Sequence, residues 1–319
     1  MLEHILLPLD GSTLAESVLP HAIALTAAFK SKLTLLRVVY AEPQNNQRGI
    51  VNPIDWQIRK SEAEAYLQSV QSRLNAIEID SDIRILEGKP ADQIVEFANN
   101  EKVDLVLLTS HGKSGPSAWN INSTVQKVLL RTFSPVMLIR AYMQKTTELQ
   151  GLSYERLLIP LDGSKRAECI LPMAKAICKA HGSKVFLIHI IEEPKLPRQT
   201  PLSEDVITLV DTLRMVNTEE AEKYLKGVEQ QFDDIQVESI IESSEKPTVT
   251  MHDIVDRENI DLVLMSAHGY SGESRWPYGK FALNFIVYGT TPLFIVQDLS
   301  RDELEKSIAE KYAEQTKGH

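Results

Sequence analysis

The chain has few of the residues that commit a protein to disulfides, metals or nucleic acid. Its only cysteines are Cys169 and Cys178 in 319 residues. They fall on one predicted helix, too far apart along it to meet at bonding distance, and read as small buried residues of a reducing compartment. No apolar run reaches the roughly 18 residues of a membrane span. Met1-Leu2-Glu3-His4 leads straight into a strand-like run, without the pattern of a signal peptide. A cytosolic protein with no membrane partner is therefore expected. Lys and Arg number 34 against 44 Asp and Glu, a net charge of −10, which argues against nucleic acid as a partner. The Walker loop, the Gly-x-Gly-x-x-Gly turn and the Gly-x-Ser-x-Gly elbow are all missing, which disfavours P-loop ATPases, Rossmann dehydrogenases and serine hydrolases. His21, His181, His189 and His252 show no metal-ligand spacing with one another or with cysteine. No catalytic constellation emerges, and a non-enzymatic protein is expected.

What the chain does have, it has twice. Leu7-Pro8-Leu9-Asp10-Gly11-Ser12 returns as Ile159-Pro160-Leu161-Asp162-Gly163-Ser164, an offset of 152 (162 − 10). Asp104-Leu105-Val106-Leu107, ending at Ser110-His111-Gly112, returns as Asp261-Leu262-Val263-Leu264, ending at Ala267-His268-Gly269, an offset of 157 (268 − 111). Trp119 and Trp276 share the second offset. The second copy is thus longer, and the insertion lies between Ser164 and Lys246, in the loop after the second strand or the helix that follows, where it would act as a lid. Two domains are read, at residues 1–142 and 154–298. Residues 299–319 form a C-terminal helical extension, in which Ser300 and Glu303 make a capping box and Leu304, Ile308 and Tyr312 one apolar stripe. It is expected to dock on its own domain, with a contact between subunits as the alternative.

Each half alternates short β-branched and leucine-rich runs with helical stretches. Strands are expected at Ile5–Leu9, Leu33–Val39, Ile83–Leu86, Val103–Leu108 and Val136–Ile139. The second set is Arg156–Leu161, Val185–Ile191, Val237–Ile241, Leu262–Met265 and Leu293–Val296. Runs without polar alternation mark strands buried on both faces of a parallel sheet. The fold class is α/β: two tandem doubly wound domains, each a five-stranded parallel sheet flanked by helices. The first helix of each half, Ala15–Phe29 in the first, carries an interior proline, Pro20 or Pro172, which should kink it.

In such a sheet ligands bind beyond the strand carboxyl ends, where the winding direction switches. Both repeated turns belong there. Asp10 and Asp162 offer carboxylates to ribose hydroxyls or a base amine, or alternatively cap the helix that begins nearby. His111-Gly112-Lys113-Ser114-Gly115 precedes Asn122-Ser123-Thr124 at the start of a helix, and helix N-termini with small residues favour phosphate. The second copy has His268-Gly269 and then Gly279-Lys280-Phe281. Arg37 and His189 share a strand position but differ in type, which suggests no shared chemistry.

At these motifs the chain resembles the universal stress protein family in its tandem two-domain form, over residues 1–298. The resemblance rests on Pro8-Leu9-Asp10-Gly11-Ser12 and its twin, on the strands leading to His-Gly, and on Ser134-Pro135-Val136 and Thr291-Pro292-Leu293. It implies the adenine-nucleotide α-hydrolase-like kind of this fold, and a stress-response protein that binds ATP (with or without Mg) or another adenine nucleotide and acts through conformation or association, with slow incidental ATP hydrolysis left open. The residues it assigns to the first crevice are Pro8, Leu9, Asp10, Val38, Val39, Leu108, Thr109, Gly112, Lys113, Asn122, Ser123 and Thr124. For the second they are Pro160, Leu161, Asp162, Ile190, Met265, Ser266, Gly269, Gly279 and Lys280, with Ile191 beside the base. It also implies an intrachain pseudo-dimer through the last strands, with further homodimerisation open. The departures are Thr109 and Ser266 for the family's first glycine, Asn122 for its later one, and Lys280 for a hydroxyl. Asn122 is expected to keep the turn because asparagine tolerates positive φ. The first half, which keeps Lys113, Ser123 and Thr124, reads as the better nucleotide site. The competing reading is an interaction scaffold whose nucleotide sites have decayed.

Overall fold

A computed structural model describes residues 2–40, 53–112, 121–140, 149, 152–194, 203–270 and 277–298. The C-terminal extension, Lys113, both spacer tryptophans and most of the two loops after the second strands lie outside them. The chain divides into two compact units, one running to Ser153 and also taking in Pro277 and the chain from Phe294, the other made of Tyr154–Ser274 and Tyr278–Leu293.

In the first half β1 (His4–Pro8) pairs in parallel with β2 (Lys32–Val39) and with β4 (Leu105–Thr109). β2 pairs with β3 (Asp82–Glu87) and β4 with β5 (Val136–Ile139), giving the order β3-β2-β1-β4-β5. The second half repeats it as β8-β7-β6-β9-β10, with β6 (Arg156–Pro160), β7 (Lys184–Glu192), β8 (Val237–Ser244), β9 (Leu262–Ser266) and β10 (Leu293–Val296). All ten expected strands form, with ends shifted by a few residues. The runs Ile5–Leu7, Leu105–Leu107 and Leu157–Ile159 are fully buried, as strands covered on both faces must be. Winding reverses between β1 and β4 and between β6 and β9, which puts the two repeated turns of each half side by side.

The aspartate of the repeated Asp-Leu-Val-Leu run has a structural use. Asp104 Oδ2 accepts the N–H groups of Glu3 and His4 at 2.7 and 2.9 Å, tying the start of β1 to β4. Asp261 does the same for Glu155 and Arg156 at 2.6 and 3.1 Å.

Among the described residues eight α-helices pack around the sheets: α1 (Leu19–Phe29), α2 (Pro53–Asn75), α3 (Pro90–Asn100), α4 (Ser123–Leu129), α5 (Leu171–His181), α6 (Glu204–Glu229), α7 (Pro247–Arg257) and α8 (Lys280–Tyr288). The expected first helices are each split. Ala15–Val18 and Ala167–Ile170 form 3-10 turns, and the α-helix starts only at Leu19 or Leu171. Pro20 and Pro172 therefore sit in the first turn of α1 and α5. There the missing N–H breaks no helical bond, so they start the helix instead of kinking it. The split also separates the cysteines: half-buried Cys169 lies in the 3-10 turn and buried Cys178 in α5.

The insertion can be narrowed. Ala63, Leu67 and Val70 are the buried face of α2, and Ala221, Leu225 and Val228 that of α6, an offset already at 158 (221 − 63). The extra residues therefore precede Ala221, in the loop after β7 or the exposed first turns of α6.

Candidate functional site

Each aspartate turn is built by its own side chain. Asp10 Oδ1 accepts the Ser12 N–H at 2.9 Å and the Ser12 hydroxyl at 2.6 Å, and Ser12 Oγ in turn accepts the Ala15 N–H at 3.1 Å. In the second half the Ser164 N–H reaches Asp162 Oδ1 at 3.0 Å, and Ser164 Oγ accepts from Ala167 at 3.1 Å. The serine, not the aspartate, caps the 3-10 turn. This leaves the second carboxylate oxygen to face the neighbouring turn.

That oxygen rests on the backbone of the His-Gly turn. A Cβ built on Gly112 would lie 2.1 Å from Asp10 Oδ2, and one on Gly269 2.0 Å from Asp162 Oδ2. Asp162 Oδ2 also accepts the Tyr270 N–H. Neither glycine has positive φ, so glycine is required here by the close approach of the carboxylate. The Asp turn and the His-Gly turn of each half are thus clamped together across the switch point.

The His-Gly turns are held from within. The Thr109 hydroxyl donates to the His111 carbonyl at 2.7 Å, and the Ser266 hydroxyl donates to that of His268. The side chains standing for the family's first glycine are therefore buried and turned into their own loop. His111 and His268 are buried as well, and His111 Nδ1 lies 3.0 Å from Ser110 Oγ.

The following helices dock on these turns. The Asn122 N–H donates to the Ser110 carbonyl and the Gly279 N–H to the Ala267 carbonyl, each at 2.8 Å. Both residues are extended N-caps, with φ of −64° and −69°. Asn122 therefore needs no positive φ, contrary to the sequence reading; it serves through its side chain. Its Oδ1 accepts the Thr124 N–H at 2.8 Å, filling one of the amides that a phosphate would use. Gly279 has no side chain to do so, and the first amides of α8 stay uncapped by it.

In the second half these elements enclose a cavity of about 230 Å³. All nine residues assigned there by sequence line it: Pro160, Leu161, Asp162, Ile190, Met265, Ser266, Gly269, Gly279 and Lys280. Ile191 does not, because successive strand residues face opposite sides and it is buried on the other one. Sequence reading missed Ile188, Glu192, Pro247, Thr248, Met251 and Phe281. Ile188 was findable by parity from Ile190. Pro247 and Met251 enter from α7, whose approach only the fold reveals. In the first half the structure brings Pro8, Leu9, Asp10, Thr109, Gly112, Asn122, Ser123 and Thr124 to the same switch point, with Val38, Val39 and Leu108 on the strands that lead there.

A family model, the universal stress protein family, matches residues 1–140 and again 153–297. Universal stress protein MJ0531 of Methanocaldococcus jannaschii is 27% identical over 140 residues, 43% of this chain and 81% of that protein. The crystal structure of a universal stress protein from Archaeoglobus fulgidus superposes with a TM-score of 0.64 at 20% identity, covering 93% of this chain and 98% of that one. A functionally unknown protein from Pseudomonas aeruginosa PAO1 gives 0.66 at 13% identity, covering 93% and 92%. Two successive matches over almost the whole described chain make it a member of the universal stress protein family, with two such domains in tandem.

Proposed function

We propose that this protein binds an adenine nucleotide in the second-domain cavity and acts through conformation or association, without catalytic turnover. The observation that carries the reading is the make-up of that cavity. Ile188, Ile190, Met251 and Met265 give it apolar walls suited to the flat faces of a base. Its polar groups include Asp162, Lys280 and the start of α8, whose dipole and amides favour an anion. Lys280 supplies a point charge in place of the family's hydroxyl donor.

Calorimetric titration of the full chain with ATP, ADP and AMP tests this. Binding in the micromolar to low millimolar range is expected. Lys280→Met should weaken it about tenfold, the worth of one charge-assisted contact. No heat and no thermal shift in millimolar nucleotide would overturn the proposal.

The scaffold reading finds support in the first domain. There α4 is only seven residues long, and Asn122 already occupies the Thr124 amide. We propose that this half is self-satisfied and holds no nucleotide in the native protein. Asn122→Gly frees that amide at a cost of a few tenths of a kcal/mol in capping. A second equivalent of bound nucleotide in this variant is the expected result. One equivalent in both proteins would mean that something other than the cap closes the first site.

A further inference from the structure

Arg37 and His189 turn out to do one job with two chemistries. Arg37 Nη1 donates to the Leu9 carbonyl at 3.2 Å. Its guanidinium faces Asp10, lies over the Tyr66 ring at 5.9 Å, and packs under the turn so that a Cβ on Gly11 would be 3.1 Å from Nη1. His189, at the same offset of 152 (189 − 37), follows Ile188, the register partner of Pro160, and so stands beside Leu161, the counterpart of Leu9, whose carbonyl favours its protonated form. It faces Asp162 and meets the Tyr224 ring edge-on at 6.3 Å. Each tyrosine lies within electrostatic reach of the equivalent glutamate, Glu16 or Glu168. The first half thus keeps a permanent positive charge beneath its aspartate turn. The second keeps a group that is charged only when protonated. Its Nδ1 is buried without a hydrogen-bond partner. The shorter ring also leaves room, since a Cβ on Gly163 would meet nothing within 4 Å.

We propose that His189 is a proton-operated counter-charge for Asp162, so that an anionic ligand enters the second-domain cavity together with a proton taken up on His189. The proposal rests on that cavity being the nucleotide site. An anion arriving beside Asp162 is repelled by the carboxylate, and an imidazolium beneath the turn offsets that repulsion. The groups facing His189 are few. Asp162 comes from the turn after β6, and Tyr224 comes from α6, with Glu168 of the 3-10 turn near that tyrosine. Its partner on β8 is the uncharged Ile241. Burial holds the imidazole below the usual histidine range, against the pull of the Leu161 carbonyl and Asp162, and pushes the Tyr224 phenol well up, so that it does not titrate here. At neutral pH the ring is neutral. Binding should tighten as pH falls through the His189 range, about tenfold for each unit by which the ligand raises its pKa.

The experiment is ATP titration of the full chain at pH 8, 7 and 6, in buffers of different ionisation enthalpy, to count protons. Wild-type protein should take up a proton and bind more tightly at pH 6. His189→Arg, which copies the first half into the space beside Gly163, should bind without proton uptake at the low-pH affinity. His189→Gln should bind without uptake at the high-pH affinity. The same uptake in His189→Gln as in wild type overturns the proposal. The coupling can also be read without nucleotide, by NMR titration of the His189 ring in wild type and Asp162→Asn. The asparagine variant should lower the His189 pKa, and an unchanged value overturns the counter-charge. Absence of ATP binding at every pH defeats the nucleotide reading itself, a result that NMR then separates from the fate of the His189–Asp162 pair.

Discussion

Gly269→Ala should cost the second domain about 2 kcal/mol and abolish its nucleotide binding. The methyl would stand 2.0 Å from Asp162 Oδ2 and 3.0 Å from Cγ, separations that no real contact sustains. Backbone conformation is not the obstacle, because Gly269 does not take positive φ. The carboxylate must therefore swing out. It then loses the Ser164 N–H at 3.0 Å and the Tyr270 N–H, the bonds that shape one turn and join it to the next. Charge-assisted bonds are worth about 1.5–3 kcal/mol each when shielded, and less at an exposed carboxylate such as this one. A double-mutant cycle separates clash from general damage. If the carboxylate is the obstacle, Asp162→Ala/Gly269→Ala should be no less stable than Asp162→Ala alone. Urea unfolding of the four proteins reads this directly. Additive losses, or a Gly269→Ala protein as stable as wild type, would show that the clamp does not hold the crevice. Gly112→Ala should behave alike toward Asp10, where the separation is 2.1 Å.

The clamp also shows where reading the sequence succeeds and where it stops. Ile5–Leu7 and Leu157–Ile159 announce themselves as strands because both faces are buried and no polar residue interrupts them. The switch point follows from the alternation of elements, and with it the meeting of Asp162, Gly269 and Gly279 at one cavity. What escapes is anything decided by which atom a side chain spends. Asp10 looks like a helix cap, yet Ser12 does the capping and the aspartate bridges the turns. Asn122 looks like a substitute for glycine's φ, yet it acts through Oδ1. Arg37 and His189 look unrelated because residue type is all a sequence compares; their shared place is beneath the residue before the aspartate. Pro20 looks interior because the 3-10 turn before α1 shares the helical period too closely to be told apart.

A second large effect is expected on acidification of the first domain. His21 lies buried in α1, and burial alone holds its pKa down at about 4. In the unfolded chain it titrates near 6.5. The unfolded state therefore binds a proton that the folded state refuses. Stability from this residue is complete above about pH 6.5 and is lost as pH falls toward about 4, by about 3 kcal/mol in all. The second copy shows how to remove the linkage, since the position 152 residues on (173 − 21) is Met173. His21→Met should stay within about 1 kcal/mol of wild type at pH 7, since a methionine of similar volume fills the core. At pH 4.5 it should be the more stable protein by about 2 kcal/mol. Urea unfolding followed by tryptophan fluorescence suits the test, because two of the three tryptophans, Trp56 and Trp119, lie in the first half. The second domain has its own acid-sensitive groups, His181 and His189, both held below the usual histidine range by burial, so its transition should move with pH equally in both proteins. If wild type and His21→Met lose stability in parallel between pH 7 and 4.5, the proton excluded from the first domain is not the one at His21.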